Sequence, residues 1–227
     1  MQPWILIDTS PVPGGREPLR LLRRGTEFVI NLGPELLMGS RMRGSEEALA
    51  RLGCAAVQDL GGSARVLIGG LGMGFTLRAA LDLLPPTASV EVAEIVPAVV
   101  AWGRGPLAHL SGDALSDPRV SVRNEDVVRS IRDARSRYAA ILLDVDNGPV
   151  GLTRDGNDTL YGVAGLRAAS KALAPGGVLA VWSAFPDRTF GRHLGTAGFA
   201  VTEHSVRAQG RKGTSHVIWV AMRPGAG

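Results

Sequence analysis

The sequence predicts an α/β protein with a mostly parallel sheet, an antiparallel edge and a small N-terminal β-unit. From about residue 65, short apolar runs alternate with helix-like stretches. This alternation is typical of parallel strands that are joined by helices. Near the C-terminal end two strand-like runs follow one another, which predicts the antiparallel edge. Before residue 60, turn residues repeatedly interrupt short apolar runs, as they do in antiparallel hairpins.

The first 60 residues are predicted to form the small β-rich unit, and residues 61–227 to form the α/β domain. Strands of the first unit are predicted at Trp4–Ile7, Leu19–Leu22, Phe28–Leu32 and Glu35–Met38. A short helix should follow, with Ser45 as its N-cap. Glu46 and Glu47 would lie in its first turn, where the helix dipole favours negative charge.

The α/β domain is predicted to contain seven strands and five helices. The strands are expected at Val66–Ile68, Ser89–Val92, Val120–Arg123, Ala139–Val145, Val178–Trp182, Ala200–Val206 and His216–Ala221. The helices are expected at Thr76–Leu84, Pro97–Arg104, Val127–Arg135, Leu160–Leu173 and Thr189–Leu194. The fourth strand is apolar until its end, so it should be buried on both faces of the sheet.

Composition excludes several classes of protein. The single cysteine, Cys54, allows no intrachain disulfide, and the four histidines lack the spacing of a zinc-binding helix, so we predict no metal site. The formal net charge of +4 comes almost entirely from arginine, and we expect no nucleic-acid partner. No apolar run approaches a bilayer span, and no basic segment precedes the first apolar run as in a signal peptide. We therefore expect a cytoplasmic protein.

A glycine-rich loop, Ile68–Gly74, follows the first strand of the α/β domain and precedes a helix. Its glycines are Gly69, Gly70, Gly72 and Gly74. Glycine lets the backbone approach a ligand closely, and the N–H groups at the start of the helix can bind polar ligand atoms. A tight strand-to-helix turn without a ligand would use the same residues. A Walker-type phosphate loop is excluded, because no Gly-Lys-Ser/Thr follows.

Acidic residues are predicted at the ends of the next two strands. Glu94 ends the second strand about 20 residues after the glycine loop, where a carboxylate can accept both ribose hydroxyls of a nucleoside cofactor. Loop and acid together fit NAD as well as S-adenosylmethionine. Glu125 and Asp126 follow the third strand, where a carboxylate could accept a hydrogen bond from an adenine amino group. Asp126 is also a good N-cap for the helix that begins at Val127, and both roles are compatible.

The fourth strand ends in Asp144-Val145-Asp146-Asn147-Gly148-Pro149. Carboxyl ends of parallel strands meet at the ligand-binding edge of such a sheet, so Asp144 and Asp146 should lie there. Paired carboxylates can hold an amine and take its proton as it attacks, and their mutual repulsion raises one pKa toward neutrality. A turn built from Asp, Asn, Gly and Pro is the alternative interpretation.

Together these motifs resemble the spermidine synthase (polyamine aminopropyltransferase) family, which has the Rossmann-like fold of class I S-adenosylmethionine-dependent methyltransferases. The resemblance covers residues 65–183. Within this range, further segments that resemble the family are Asp117–Val120, Tyr138–Pro149 and Leu173–Val178. It implies a homodimer and a small-molecule acceptor. It also implies that Asp144 and Asp146 are catalytic, and that the nucleoside cofactor contacts the four loop glycines, Glu94, Ile95, Glu125, Asp126, Val127 and Asn147.

Two departures from the family pattern bear on the cofactor and the substrate. The family's glycine loop normally holds an Asp for the amine end of decarboxylated S-adenosylmethionine, but no acid occurs here from Ile68 to Leu81. An acid there would repel the carboxylate of ordinary S-adenosylmethionine, so its loss admits that cofactor. Arg43 and Gly44 stand where the family has a Tyr, and a positive charge there disfavours a polycation.

The first hypothesis is therefore methyl transfer from S-adenosylmethionine to a small acceptor, on a spermidine-synthase-like scaffold. The alternative is an aminopropyltransferase that uses decarboxylated S-adenosylmethionine and a polyamine. A third hypothesis is a protein without catalytic activity that binds a nucleoside or a partner. The pair Asp144 and Asp146 favours an enzyme, because a binding module has little need of it.

Overall fold

The computed structural model describes residues 2–55, 57, 63–145, 158–209 and 212–225, in which a seven-stranded sheet forms the centre of the molecule. Its spatial order is β10-β11-β9-β8-β5-β6-β7. Strands β5 to β9 run parallel to one another, whereas β11 runs antiparallel to both β9 and β10. The predicted fold, mostly parallel with an antiparallel edge, is confirmed.

The elements of the α/β part follow the predicted alternation. The strands are β5 (Arg65–Gly69), β6 (Ser89–Ala93), β7 (Val120–Arg123), β8 (Tyr138–Leu143), β9 (Leu173–Ser183), β10 (Ala200–Gln209) and β11 (Lys212–Met222). The helices are α1 (Gly44–Cys54), α2 (Phe75–Leu83), α3 (Pro97–Arg104), α4 (Val127–Arg132), α5 (Asp158–Tyr161), α6 (Val163–Ala172) and α7 (Arg188–Thr196). The helix expected at 160–173 is thus two helices that meet at Gly162, and Leu173 already belongs to β9.

The N-terminal unit is a separate antiparallel sheet in the order β1-β2-β3-β4. Its strands are β1 (Ile5–Ser10), β2 (Leu19–Arg24), β3 (Glu27–Leu32) and β4 (Glu35–Gly39). Trp102 of α3 donates a hydrogen bond from Nε1 to Asp8 Oδ2 at 2.7 Å. Leu21 and Ile30 belong to the same apolar core as Ile68 and Val92, so this sheet packs directly on the α/β part.

Helix α1 begins two residues earlier than the Ser45 N-cap predicts, and that prediction is wrong. The helix starts at Gly44, and Arg43 makes no side-chain cap. A Cβ at Gly44 would lie 2.9 Å from the carbonyl oxygen of Ala208, so only glycine lets the helix start against the β10 backbone. The helix packs on β8 to β11 and on α2. Because α1 packs on the α/β part, its contacts favour a boundary between the two units at residues 40–43. The division at residue 60 stays a prediction from the sequence.

The core explains why β5 and β8 are apolar over their lengths. Val66 and Ile68 of β5 face one core, which also holds α1, α2 and the N-terminal sheet, whereas Leu67 faces a second core on the other side. A strand that is buried on both faces needs apolar residues at successive positions. Polar residues stand only at the strand ends: Arg65 begins β5 at the amino edge of the sheet, and Asp144 follows β8 at the carboxyl edge.

Candidate active site

The carboxyl ends of β5, β6, β7 and β8 surround a cavity of about 330 Å³, called here the larger cavity. Its polar wall comes from the α/β part. Its apolar wall comes partly from the N-terminal sheet, through Val12, Leu19, Ile30, Leu37 and Met38. Seven of the predicted cofactor-binding residues line it: Gly70, Gly72, Glu94, Ile95, Glu125, Asp126 and Val127. Their assignment to a cofactor stays a prediction.

The glycine loop is held tightly against the neighbouring strand ends. The Gly70 N–H donates to the carbonyl oxygen of Ala93 at 2.9 Å, and its φ is +87°. A Cβ at Gly70 would overlap the carbonyl oxygen of Asp144, so this position requires glycine for both space and conformation. Gly69 and Gly74 are not among the lining residues. Gly69 packs under Val127, and Gly74 is the left-handed residue at which α2 begins.

Glu94 holds the glycine loop against the end of β6 by accepting two backbone hydrogen bonds. Its Oε2 accepts a hydrogen bond from the Leu71 N–H, and its Oε1 accepts one from the Val96 N–H, both at 2.9 Å. The residue is only 7% exposed. The carboxylate therefore orders the backbone on two sides of the larger cavity while forming part of its wall.

The acids after β7 have structural partners as well as a place in the cavity wall. Asp126 Oδ1 accepts from the Val128 N–H at 2.9 Å, so the predicted N-cap of α4 is confirmed. Glu125 Oε1 accepts from the Ser130 hydroxyl at 2.7 Å, and the Arg129 guanidinium lies 3.7 Å from its Oε2. These contacts hold both carboxylates at the edge of the sheet.

A second cavity of about 280 Å³, called here the smaller cavity, lies beside the first. Four residues line both cavities: Leu37, Met38, Gly72 and Asp144. The far wall of the smaller cavity contains Glu46 together with the aromatic rings of Trp182 and His216, whose centroids are 4.9 Å apart. Asp144 therefore lies at the junction, where the two cavities adjoin.

The environment of Asp144 raises its pKa. Burial raises it to about 6, and this effect is opposed by the hydrogen bond that Thr76 Oγ1 donates to Asp144 Oδ2 at 2.7 Å. Burial, and then the charge of Asp144, raise the pKa of Glu46 to about 7, although the Ser45 hydroxyl donates to its Oε2 at 2.6 Å. Two carboxyl groups of the smaller cavity thus titrate close to neutral pH.

Sequence reasoning missed Glu46, Thr76 and Met38. The sequence presents Glu46 only as an acid in the first turn of a helix, and Thr76 only as the start of the next helix. Arg43 was expected to bring a positive charge to the substrate. Its side chain is 61% exposed and pairs with Glu47 at 3.3 Å, and it does not line the smaller cavity. The Arg43 guanidinium is therefore not part of the wall of the smaller cavity.

The remaining predicted residues, Asp146 and Asn147, lie outside the described residues. Within the described ranges, no group of three or more His, Cys, Asp or Glu side chains is arranged to hold a metal ion. In the same part of the chain, no helix is long and apolar enough to cross a membrane.

Thr76 gives the first testable prediction. Thr76 is 1% exposed, and its hydroxyl favours the charged form of Asp144. Thr76→Val keeps the shape but removes this donor, so we expect the pKa of Asp144 to rise further, by about one pH unit. The measurement is a carboxyl carbon NMR titration of protein with labelled aspartate, in which Asp144→Asn assigns the signal. Thr76→Ser, which keeps the hydroxyl, should titrate like the unaltered protein; an unchanged pKa in Thr76→Val would contradict the prediction.

The fold and the cavities together define a Rossmann-like α/β protein with cavities at the carboxyl edge of its sheet, lined in part by an N-terminal β-unit. Residues 44–186, more than half of the chain, match the spermine/spermidine synthase domain. The chain belongs to this family, and the resemblance inferred from the motifs is confirmed.

Individual relatives agree with this assignment. The chain is 32% identical over 155 residues to polyamine aminopropyltransferase 1 of Streptomyces coelicolor. This match covers 64% of this chain and 28% of that protein. It is 32% identical over 162 residues to the polyamine aminopropyltransferase of Mycobacterium tuberculosis. This match covers 66% of this chain and 29% of that protein. The chain thus spans less than a third of the length of these curated relatives.

Solved structures share the fold. Spermidine synthase from Thermotoga maritima superposes with a TM-score of 0.76 at 17% identity, covering 96% of this chain and 72% of the other. A probable spermidine synthase from Corynebacterium glutamicum gives a TM-score of 0.60 at 17% identity, covering 95% and 80%. At this identity the likeness supports the fold, while the activity has to be argued from the site.

Proposed function

We propose that the chain transfers an aminopropyl group from decarboxylated S-adenosylmethionine to a small amine. The single observation that carries the proposal is Asp144, a buried carboxyl group shared by two adjoining cavities. The names of the curated relatives, which are polyamine aminopropyltransferases, support the same reaction. This reaction replaces methyl transfer as the leading hypothesis.

The larger cavity suits the nucleoside. Glu94 lines this cavity at the end of β6, where its carboxylate could accept ribose hydroxyls. Asp126 lines the same cavity and could accept a hydrogen bond from a base amino group, and the apolar side chains of the N-terminal sheet could cover the ring faces. The bound sulfonium would supply the electrophilic carbon.

The smaller cavity suits a cationic acceptor. Two of its titratable groups, Glu46 and Asp144, are acids, and burial lowers the pKa of the third, His216, so that it is neutral at pH 7. No lysine or arginine is among the described residues that line it. The carboxylates would therefore attract an ammonium group and hold it beside the junction.

Asp144 would then take the proton of the reacting amine. The amine nitrogen forms a bond to the carbon next to sulfur, the carbon–sulfur bond breaks, and sulfur leaves as a neutral thioether. The nitrogen must lose a proton, and a carboxyl group with a pKa of about 6 is a suitable acceptor near neutral pH. Positioning the two reactants in adjoining cavities would supply much of the remaining acceleration.

Methyl transfer from S-adenosylmethionine stays the second candidate, because one observation favours it. The glycine loop and helix α2 contain no acid from Ile68 to Leu81, so no carboxylate of this segment would repel the carboxylate of the ordinary cofactor. The two reactions differ in which substituent of the sulfonium faces the smaller cavity.

Calorimetric titration with the two cofactors, followed by product analysis with a diamine such as putrescine, tests the proposal. We expect tighter binding of decarboxylated S-adenosylmethionine and release of a methylthio nucleoside. Preference for the carboxylated cofactor together with methylated product would replace the proposal by methyl transfer. Binding of neither cofactor would favour the hypothesis without catalysis.

A further inference from the structure

Met38 reaches the junction of the two cavities because of an irregularity in β4. Ile30 pairs with Met38, but the next residue, Asn31, pairs with Leu36, so Leu37 is an extra residue in the strand. Successive side chains of a regular strand point to opposite faces, and a bulge changes that direction locally. As a result, the consecutive residues Leu37 and Met38 both line both cavities.

The thioether of Met38 covers the glycine loop at Gly72. A Cβ at Gly72 would lie 3.1 Å from Met38 Sδ and 3.4 Å from Met38 Cε, and the φ of Gly72 is +52°. A side chain at this point would therefore need a strained backbone and a small shift of the Met38 thioether. Met38 and Gly72 together form an uncharged wall of the junction, and Asp144 is the acid that lines the same space.

We propose that Met38 is a specificity-determining residue: its side chain limits the size of the sulfur substituent that extends from the larger cavity into the smaller one. The inference rests on the proposed function, because it takes a sulfur-containing nucleoside as the ligand. An aminopropyl substituent must pass the Met38 thioether, whereas a methyl group occupies much less of the junction. The side chain at residue 38 would thus set the preference between the two groups.

Binding of unreactive thioether nucleosides tests the inference without requiring catalysis. In Met38→Ala the shortened side chain opens the junction. We expect its affinity for the nucleoside with a 3-aminopropylthio group to rise about tenfold, the size of effect that a few methylene groups have in a pocket. Its affinity for 5′-methylthioadenosine should change less than about threefold. Calorimetry gives both dissociation constants, and their ratio is the decisive quantity.

Two control variants separate the junction from general effects on β4. Met38→Leu keeps most of the side-chain volume and should keep the ratio of the unaltered protein. Leu36→Ala shortens a side chain that lines only the smaller cavity and is 54% exposed, and it should also keep the ratio. An equal change for both nucleosides in Met38→Ala, or no change, overturns the inference while leaving the proposed function standing. Binding of neither nucleoside to any of the proteins overturns the proposed function, and the inference with it.

Discussion

Asp144→Asn is expected to slow transfer by about 10² to 10⁴-fold, the usual contribution of a general base. Asparagine can still accept the hydrogen bond of the Thr76 hydroxyl, so the geometry at the junction should be kept. It cannot take a proton from the attacking amine, and it removes the negative charge that would hold the ammonium group. Steady-state rates with saturating cofactor and amine give the measurement.

The same substitution should make the protein more stable above pH 6. The unfolded pKa of an Asp is near 3.8, whereas burial raises that of folded Asp144 to about 6. The folded state therefore binds the proton more tightly, so stability falls as pH rises from 4 to 6, and the loss is complete above pH 6. Asparagine carries no such penalty. We expect a gain of the order of 2 kcal/mol in the free energy of unfolding at pH 8, and a smaller gain at pH 4.

Asp82→Asn is the matched control for Asp144→Asn. Asp82 is an acid of the neighbouring helix α2, but its side chain is 62% exposed and pairs with Arg78 on the surface. Its replacement should leave transfer unchanged and alter stability by less than about 0.5 kcal/mol. If Asp144→Asn retained full activity, or lost stability at pH 8, Asp144 would not be the buried base proposed.

The part of the site that the sequence could predict is the part that follows from strand order. Glu94, Asp126 and Asp144 each follow a strand of a parallel sheet, and the carboxyl ends of such strands must meet at one edge. The positions of these side chains beside the larger cavity follow from local pattern alone. Asp126 even has the capping role that its place before Val127 suggests.

The smaller cavity could not be predicted in this way, because its residues come from segments that no local pattern relates. Met38 depends on an extra residue in β4 that becomes visible only from the pairing with β3. Glu46 and Arg43 are both near the start of α1, and which of them faces the cavity depends on how the helix packs. Arg43 lies on the outer side with Glu47, four residues away, whereas Glu46 faces Asp144. A charged residue that is near a site in sequence therefore does not predict the charge of the cavity, because the direction of the side chain decides whether it lines the cavity.

Glu94→Gln is expected to weaken both nucleoside binding and the fold. The carboxylate accepts the N–H groups of Leu71 and Val96 with one oxygen each, whereas an amide has a single oxygen and a donating NH₂ group. One buried backbone N–H would thus lose its partner, which costs about 1–3 kcal/mol in the free energy of unfolding. The glycine loop would lose part of the hydrogen bonding that holds it in place, and a bound ribose would lose a charged acceptor. We therefore expect affinity for 5′-methylthioadenosine to fall at least about tenfold.

Glu91→Gln provides a control in the same strand that separates the two effects. Glu91 is also buried, but it lies away from the larger cavity, where it pairs with Arg137 at 2.8 Å and Arg123 at 3.1 Å and accepts a hydrogen bond from Tyr138. Its replacement should lower stability in chemical denaturation, yet leave the nucleoside dissociation constant within about threefold of the original. Glu91 does not line the larger cavity and is linked to it only through Arg123, whose guanidinium is 3.7 Å from Glu125. Equal loss of affinity in both variants would mean that β6 acts on the cavity through general stability. Loss in Glu94→Gln alone would assign the effect to the carboxylate at the end of the strand.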